Sequence, residues 1–401
     1  MQLKRKTIRD VELKDRRVIA RVDYNVPLDA DGHVTDDLRI RETLPTIIYI
    51  MEHGASLVLM AHLGRPKGKP VPSMSLKPVA KRLADLLGRP VAMAPDCVGP
   101  EAERMAKALK PGEILLLENL RYHKEEEAND PEFARQLGAL GDVYVNDAFG
   151  TAHRAHASTE GITHHMKTSV AGFLMEKELT AFHTLLSTPR HPLLAILGGA
   201  KVSDKIGVLQ NLLRLADTVF VGGAMANTFI MAKGLPVGAS LVEPDAVETA
   251  QAALAEATRL GKELLLPVDV VVARELASGA DTTVVPVEGI PADLKALDIG
   301  PESRSLVRAI CAKAHTIFWN GPMGVFEVPP FDQGTMETAR ALAAATSAGA
   351  VTVVGGGDSG AALEKAGLAK AVSHLSTGGG ASLELVEGRV LPGVAALEAA
   401  P

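Results

Sequence analysis

Short runs of Val, Leu and Ile without a charge recur along the chain, and nearly every one breaks into a loop of Gly, Asn or Arg before a segment of helical periodicity. The run Leu193–Leu197 is typical. An apolar run of that length ending in glycine reads as a strand buried on both faces, and the segment after it, with Ile206, Leu209, Leu212 and Leu213 at helical spacing, reads as a helix. In the first half the strands fall at Val18–Val22, Leu57–Met60, Ile114–Leu117 and Val143–Val145, with helices at Leu38–Met51, Leu76–Leu87 and Glu101–Leu109 between them. In the second half strands are expected at Thr218–Val221, Val268–Val272, Thr316–Trp319 and Val351–Val354, and helices at Ala224–Lys233, Pro244–Leu260, Glu302–Ala314 and Gln333–Ala345. Strand–helix alternation of this kind specifies an open parallel sheet, whose ligands sit beyond the carboxyl ends of the strands.

The alternation is interrupted once. Leu174, Leu179, Phe182, Leu185 and Leu186 mark a long helix over Phe173–Leu186, ended by Ser187-Thr188-Pro189. The reading is therefore an α/β chain of two doubly wound, Rossmann-like α/β/α domains, residues 1–172 and 188–375, joined by a helix over 173–187 and followed by a last segment, 376–401. A length of 401 residues suits two such domains, and 47% hydrophobic with 3% aromatic residues leaves the interior to Val, Leu, Ile and Ala, as parallel sheets require. A net charge of −6 offers no general attraction to nucleic acid or to acidic membranes, and no apolar stretch is long enough to span a bilayer. Cys97 and Cys311 match no metal or disulfide spacing and are expected as reduced core thiols in a soluble, cytoplasmic protein. The His153/His156 and His164/His165 pairs lack a completing ligand, and the charge run Lys124–Glu127 is expected to be a solvated face.

The residues after each strand carry the chemistry. In the first half they are Asp23, Tyr24 and Asn25, with Arg21 just before; His62, Leu63, Gly64 and Arg65; Glu118, Asn119, Arg121, Tyr122 and His123; and Asn146, Asp147, His153, Arg154 and His156. Each loop alone is better read as an ordinary surface turn with a solvated Arg. Four of them with Arg or His at one sheet edge suit a small polyanion, because guanidinium forks match phosphate and carboxylate oxygens bidentately. Arg39, at a helix start, is a candidate for the same cluster.

In the second half, Gly198-Gly199-Ala200-Lys201-Val202-Ser203-Asp204-Lys205 joins strand to helix. Bare backbone, a helix start and two lysines four residues apart, pointing the same way, make a phosphate site, although an ordinary loop with two solvated lysines accounts equally for this stretch alone. Asn320 and Glu327 lie on a second glycine-shaped loop, where Glu327 suits a ribose hydroxyl pair. Gly356, Gly357, Asp358 and Ser359 lie on a third. A carboxylate facing phosphates needs a cation between, and Mg²⁺ held by Asp358 and phosphate oxygens is the natural one. Ser359 is expected to cap the next helix or touch phosphate. The literal G-x-G-x-x-G at Gly355–Gly360 lacks the later acid that a dinucleotide site uses, since His374–Gly380 holds none.

The motifs Arg21–Pro27, His62–Pro66, Glu118–Arg121, Asp147–His156, Gly198–Lys205, Asp298–Glu302, Trp319–Pro322, Gly355–Asp358 and Ser376–Gly380, in this order over almost the whole chain, resemble those of phosphoglycerate kinases. The resemblance implies a two-domain glycolytic enzyme that exchanges a phosphoryl group between 1,3-bisphosphoglycerate and Mg-ADP. It assigns Asp23, Asn25, Arg39, His62, Arg65, Arg121 and Arg154 to 3-phosphoglycerate, with Tyr24, Leu63 and Gly64 in the same loops. Gly199, Lys201, Lys205, Gly223, Gly300, Asn320, Glu327 and Gly356 to Ser359 are assigned to ATP or ADP, and Asp358 to magnesium. Arg39 and Lys201 are then the catalytic pair on the transferring phosphoryl group. It implies a monomer whose final segment returns to the first domain, with Ser376–Gly380 as part of a closing hinge. Tyr24 replaces the usual Phe, its extra hydroxyl expected to face water, and Ser359 replaces the usual Thr.

Overall fold

The computed structural model describes residues 3–400. Among these, one compact unit takes in the chain up to Thr180 and from Val390 onward, and the other is Ala181–Arg389.

In the first unit the strands are β1 (Arg17–Val22), β2 (Ser56–Met60), β3 (Ala92–Met93), β4 (Ile114–Leu116), β5 (Val143–Asp147) and β6 (Ser169–Ala171). They form a parallel sheet in the order β3-β4-β2-β1-β5-β6. β1 lies centrally, Arg21 opposite Met60 on one side and Asn146 on the other. Helix Leu38–Glu52 buries Ile40, Thr43, Thr46, Ile47 and Ile50, the stripe that a 3.6-residue repeat requires, against Val18, Ala20 and Val22 of β1. Each such fully buried aliphatic side chain contributes about 1.5–3 kcal/mol over exposure. The returning terminus adds itself to this unit: Gly393 N–H donates to Ala152 O (2.9 Å) and Glu398 N–H to Ser169 O (2.9 Å).

Two expectations fail here. The Tyr24 hydroxyl does not face water: the side chain is 0% exposed and its OH lies 3.0 Å from Thr43 Oγ1. Nor is Lys124–Glu127 a solvated face throughout. Glu126 is 1% exposed and accepts from Ser158 N (3.0 Å) and Ser158 Oγ (2.5 Å).

In the second unit the strands are β7 (Leu193–Leu197), β8 (Thr218–Val221), β9 (Glu263–Leu265), β10 (Asp269–Ala273), β11 (Thr283–Pro286), β12 (Lys295–Ile299), β13 (Thr316–Asn320), β14 (Val351–Gly355) and β15 (His374–Leu375). Six form a parallel sheet, β15-β14-β13-β7-β8-β9. The Val268–Val272 run, expected in that sheet, instead makes β10 of a separate antiparallel sheet, β11-β10-β12. Asp269 ties it there by accepting from Ser303 N (2.7 Å) and Glu302 N (3.0 Å) at the start of helix Pro301–Lys313. An apolar run declares burial but not its hydrogen-bonding neighbour, so the sequence alone could not separate the two sheets. Both cysteines are buried and unbridged, as their spacing indicates.

Candidate functional site

In the first unit β4, β2, β1 and β5 are consecutive neighbours, so the four basic loops leave one sheet edge side by side. They are laced together. Asn25 Oδ1 accepts from Gly64 N (2.9 Å), and Arg121 Nη1 donates to Gly64 O (3.1 Å). Asn119, one of the strand-end residues, serves the loops themselves: it clamps Leu63 from both sides, accepting from its N–H (3.2 Å) and donating to its carbonyl (2.7 Å). Arg39 pairs with the buried carboxylate of Asp23. Arg65 and Arg154 are exposed, while His62 and Arg121 are buried. Tyr24 turns its ring into the core, so its side chain leaves this group. His123 leaves it too and pairs with Asp96 at 2.7 Å.

The cluster's charge is written into its histidines. Burial, then the neighbouring Arg21, Arg121 and Arg39, holds the His62 imidazole well below its ordinary value, and burial with Arg21, Arg121 and Arg154 pushes His156 down to about 4. Both rings are neutral at pH 7, so the arginines carry the cationic charge.

In the second unit β14, β13, β7 and β8 are likewise neighbours, and their loops interlock through bare backbone. Gly199 N donates to Pro322 O (3.1 Å), Gly223 N to Met323 O (3.2 Å), and Gly198 N to Asn320 O (2.9 Å). A Cβ on Gly198 would stand 2.1 Å from Pro322 O, so no other residue fits there. Gly356 opens helix Gly357–Lys365 with φ +90°, and Asp358 sits exposed in its first turn.

Two local expectations are corrected. The two lysines do not share a helical turn, because the helix begins only at Ile206. Lys201 is exposed, whereas Lys205 folds back to donate to Gly198 O and to Asn320 O (3.2 Å), and burial pushes its ammonium down to about 8. Ser359 does not cap its helix; fully buried, it accepts from Gly321 N (2.7 Å) and braces the neighbouring loop. Gly300 faces Asp269, whose carboxylate a Cβ there would meet at 2.2 Å. Asn320 Nδ2 is buried without an acceptor among the described residues and lies 2.8 Å from the Cβ position of Gly356, a donor beside the glycine loop.

These loops open onto a cleft of about 700 Å³. Gly199, Gly223, Glu327 and Asp358 line it, and Leu241, Val242, Leu276, Leu297 and Val325 form an apolar wall. Leu241 and Leu276 are exposed although large and apolar. Pattern reading missed this wall, for Ala239–Val242 lies outside any helix or strand and Leu297 belongs to the antiparallel sheet. An apolar cluster in the Gly- and Pro-containing stretch Leu235–Val242 was the available signal. Asp298, buried at the cleft's edge, has its carboxyl pushed up to about 7 by burial.

The sequence profile of the phosphoglycerate kinase family matches residues 8–389. The phosphoglycerate kinase of Chloroherpeton thalassium is 57% identical over 395 residues, covering 98% of this chain and 99% of its own, and that of Chloroflexus aggregans is 56% identical over 398 residues, covering 99% of each. Among solved structures, phosphoglycerate kinase from Coxiella burnetii superposes with a TM-score of 0.91 at 40% identity, and that from Pyrococcus horikoshii OT3 with 0.82 at 35%, each covering 98% of both chains. Agreement of this extent in sequence and in fold shows that the chain belongs to the phosphoglycerate kinase family, and so is a glycolytic kinase, an ATP:3-phosphoglycerate 1-phosphotransferase.

Proposed function

We propose that the basic loops of the first unit hold 3-phosphoglycerate or its 1,3-bisphosphate, and that the cleft of the second unit holds ADP or ATP. The observation that carries this division is chemical: one sheet edge gathers arginines around neutral histidines, and the other sets the Gly356–Gly357 amides, and Lys205 next to Gly199, beside an apolar cleft. Arg65, Arg121 and Arg154 suit a phosphate and His62, Asp23 and Asn25 the glycerate end, while the apolar wall suits a purine and Glu327 the ribose hydroxyls. Residues 1–172 and 188–375 are the corresponding domains.

The donor set fits a magnesium nucleotide. Asp358 is a lone hard oxygen ligand on a loop of bare amides, and the orphaned Asn320 Nδ2 awaits an acceptor such as a phosphate oxygen. Mg²⁺ held by Asp358 and phosphate oxygens would neutralise charge on the nucleotide. The chain's residues do the rest. Because the acyl phosphate is already activated, transfer in the ATP-forming direction needs no general base; it needs positioning and neutralisation. Arg39 and Lys201 supply positive charge to the transferring oxygens, Arg39 exchanging its pair with Asp23 for the phosphoryl group. The N–H groups of Gly356–Gly357 and of Gly379 and Gly380 supply further donors, whereas Gly378 N donates to Ser376 Oγ (3.1 Å). Transfer between ligands on two units requires domain closure, which also excludes water from the acyl phosphate, and Ser376–Gly380 is proposed to flex in it. We further propose a cytoplasmic monomer.

Separate calorimetric titrations with 3-phosphoglycerate and Mg-ADP test the division. Arg154→Ala should weaken only the first and Glu327→Ala only the second. An Arg154 variant that loses ADP, or a Glu327 variant that loses 3-phosphoglycerate, would refute it.

A further inference from the structure

Beneath the basic loops of the first unit runs a chain of buried polar side chains. Arg21, 1% exposed on β1, donates from Nη2 to His62 Nδ1 (3.0 Å), from Nε to Ser158 Oγ (2.9 Å), and from Nη1 to Val22 O. Ser158 donates its hydroxyl to Glu126 Oε1 (2.5 Å), and its N–H reaches Glu126 Oε2 (3.0 Å). Tyr144 OH fixes the Ser158 carbonyl (2.8 Å), and Ala157 N–H donates to Glu126 O (2.9 Å). Both Ser158 and Glu126 are buried, and neither belongs to the loops assigned to ligand.

With Glu126 as a carboxylate, a form that burial disfavours and Arg21 and Ser158 favour, every proton in this chain has one permitted place. A guanidinium only donates, so the nitrogen of His62 that meets Arg21 must be a bare acceptor. The neutral ring then carries its proton on Nε2. For the same reason Ser158 Oγ accepts from Arg21 and must spend its own proton on the carboxylate of Glu126, which takes two hydrogen bonds and offsets the charge of Arg21.

We propose that Glu126 and Ser158 are positioning residues which, through Arg21, lock His62 in the neutral Nε2–H form, so that the ring offers one fixed N–H donor to the anionic substrate. The proposal rests on the assignment of His62 to 3-phosphoglycerate. Without the relay, Arg21 loses the acceptor that aims its Nε, and its Nη2 no longer has to face His62. The ring is then free to present either nitrogen, and half of those orientations place a lone pair against the ligand's oxygens. Arg121, Arg39 and His156 also surround the ring, all of them disfavouring an imidazolium.

The test is long-range ¹⁵N–¹H spectroscopy of the histidine rings in the full chain, with His62 assigned by its loss in His62→Asn. In the wild type His62 should show a protonated Nε2 and a bare Nδ1, unchanged as pH falls from about 8 to about 5.5, well past the ordinary histidine midpoint. Ser158→Ala should show both tautomers or a titration within that window. It should also raise the KM for 3-phosphoglycerate about tenfold, the loss of one aligned hydrogen bond, with kcat little changed. Ser158→Thr should restore the ring signals and the KM together. A wild-type His62 that carries its proton on Nδ1 or titrates near its ordinary value overturns the proposal. So does a Ser158→Ala protein whose KM rises while the ring signals stay as in the wild type, which is what a merely structural role gives. Should Ser158→Ala not fold, Glu126→Gln, which reverses one donor, is read the same way, and unchanged ring signals there overturn the relay. Adding 3-phosphoglycerate to the wild type separates the two readings. If the Nε2–H signal does not move, the substrate assignment fails while the tautomer lock, read without ligand, still stands.

Discussion

With Lys205 in the proposed nucleotide site, nucleotide affinity should fall with pH above neutrality. Its ammonium donates to Gly198 O and Asn320 O, and burial lowers it from 10.5 to about 8. Nucleotide phosphates favour the charged lysine, so binding above that value must first restore a proton. The protonated fraction falls from about nine-tenths near pH 7 to about one-tenth near pH 9, and ADP affinity should therefore fall about tenfold between them. The lone tryptophan, Trp319, reports on this directly, because its indole N–H donates to Gly321 O (2.8 Å) in the adjoining loop. Fluorescence titration with Mg-ADP at a series of pH values gives the curve, and calorimetry at about pH 8.5 should show proton uptake on binding. Lys205→Arg keeps its charge throughout and should show no such slope. For the ligand-free protein the sign reverses. Below about pH 8 both folded and unfolded chains hold the proton and the cost of burying the charge is fully present. Between there and 10.5 the folded chain releases it first, so this residue's contribution rises with pH by up to about 3 kcal/mol. Wild-type ADP affinity that stays flat from pH 7 to 9, or an equal fall in Lys205→Arg, would refute the reasoning.

Asp358→Ala should leave the fold intact and strongly reduce turnover, with a shifted magnesium requirement; the same activity and the same magnesium curve as wild type would sink the metal assignment. Arg65→Ala should chiefly raise the KM for 3-phosphoglycerate, whereas Arg39→Ala should chiefly lower kcat, and steady-state kinetics with the reverse pattern would overturn that split. Thr43 spends its proton on Ile40 O (2.8 Å), so Tyr24 must donate to Thr43. Tyr24→Phe should therefore cost less than about 1 kcal/mol in urea unfolding, and Thr43→Val, which strands a buried phenol, about 1–3 kcal/mol; the opposite ranking would be decisive against it.

What the sequence disclosed and what it hid divide along a physical line. Leu193–Leu197 and Val18–Val22 declare themselves because a strand covered on both faces has no use for charge, and the loops after them because glycine and arginine are costly or idle elsewhere. Glu126 was illegible. In Lys-Glu-Glu-Glu nothing local selects the one carboxylate that turns inward, since its partners Ser158 and Arg21 come from distant segments. The Tyr24 hydroxyl was misjudged likewise: its acceptor lies on another element, nineteen residues on. The two lysines were placed on one helical face because four-residue spacing implies it, yet the turn before Ile206 obeys no such spacing. The antiparallel sheet shows the same limit at larger scale, because β10 is as apolar as β7.

The gathering of Arg39, Arg65, Arg121 and Arg154 at the proposed 3-phosphoglycerate site should also shape how substrate arrives. The chain as a whole carries −6, so an approaching polyanion meets two opposed fields, a broad repulsive one and a local attractive one. Their reach is set by ionic strength. At about 0.01 M the screening length is about 30 Å and the whole molecule repels, whereas at about 0.15 M it is about 8 Å and only the nearby arginines are felt. Added salt thus first lifts the distant barrier and only later weakens the pull at the mouth of the site. The capture rate should pass through a maximum with salt, where a uniformly basic receptor would show only a decline.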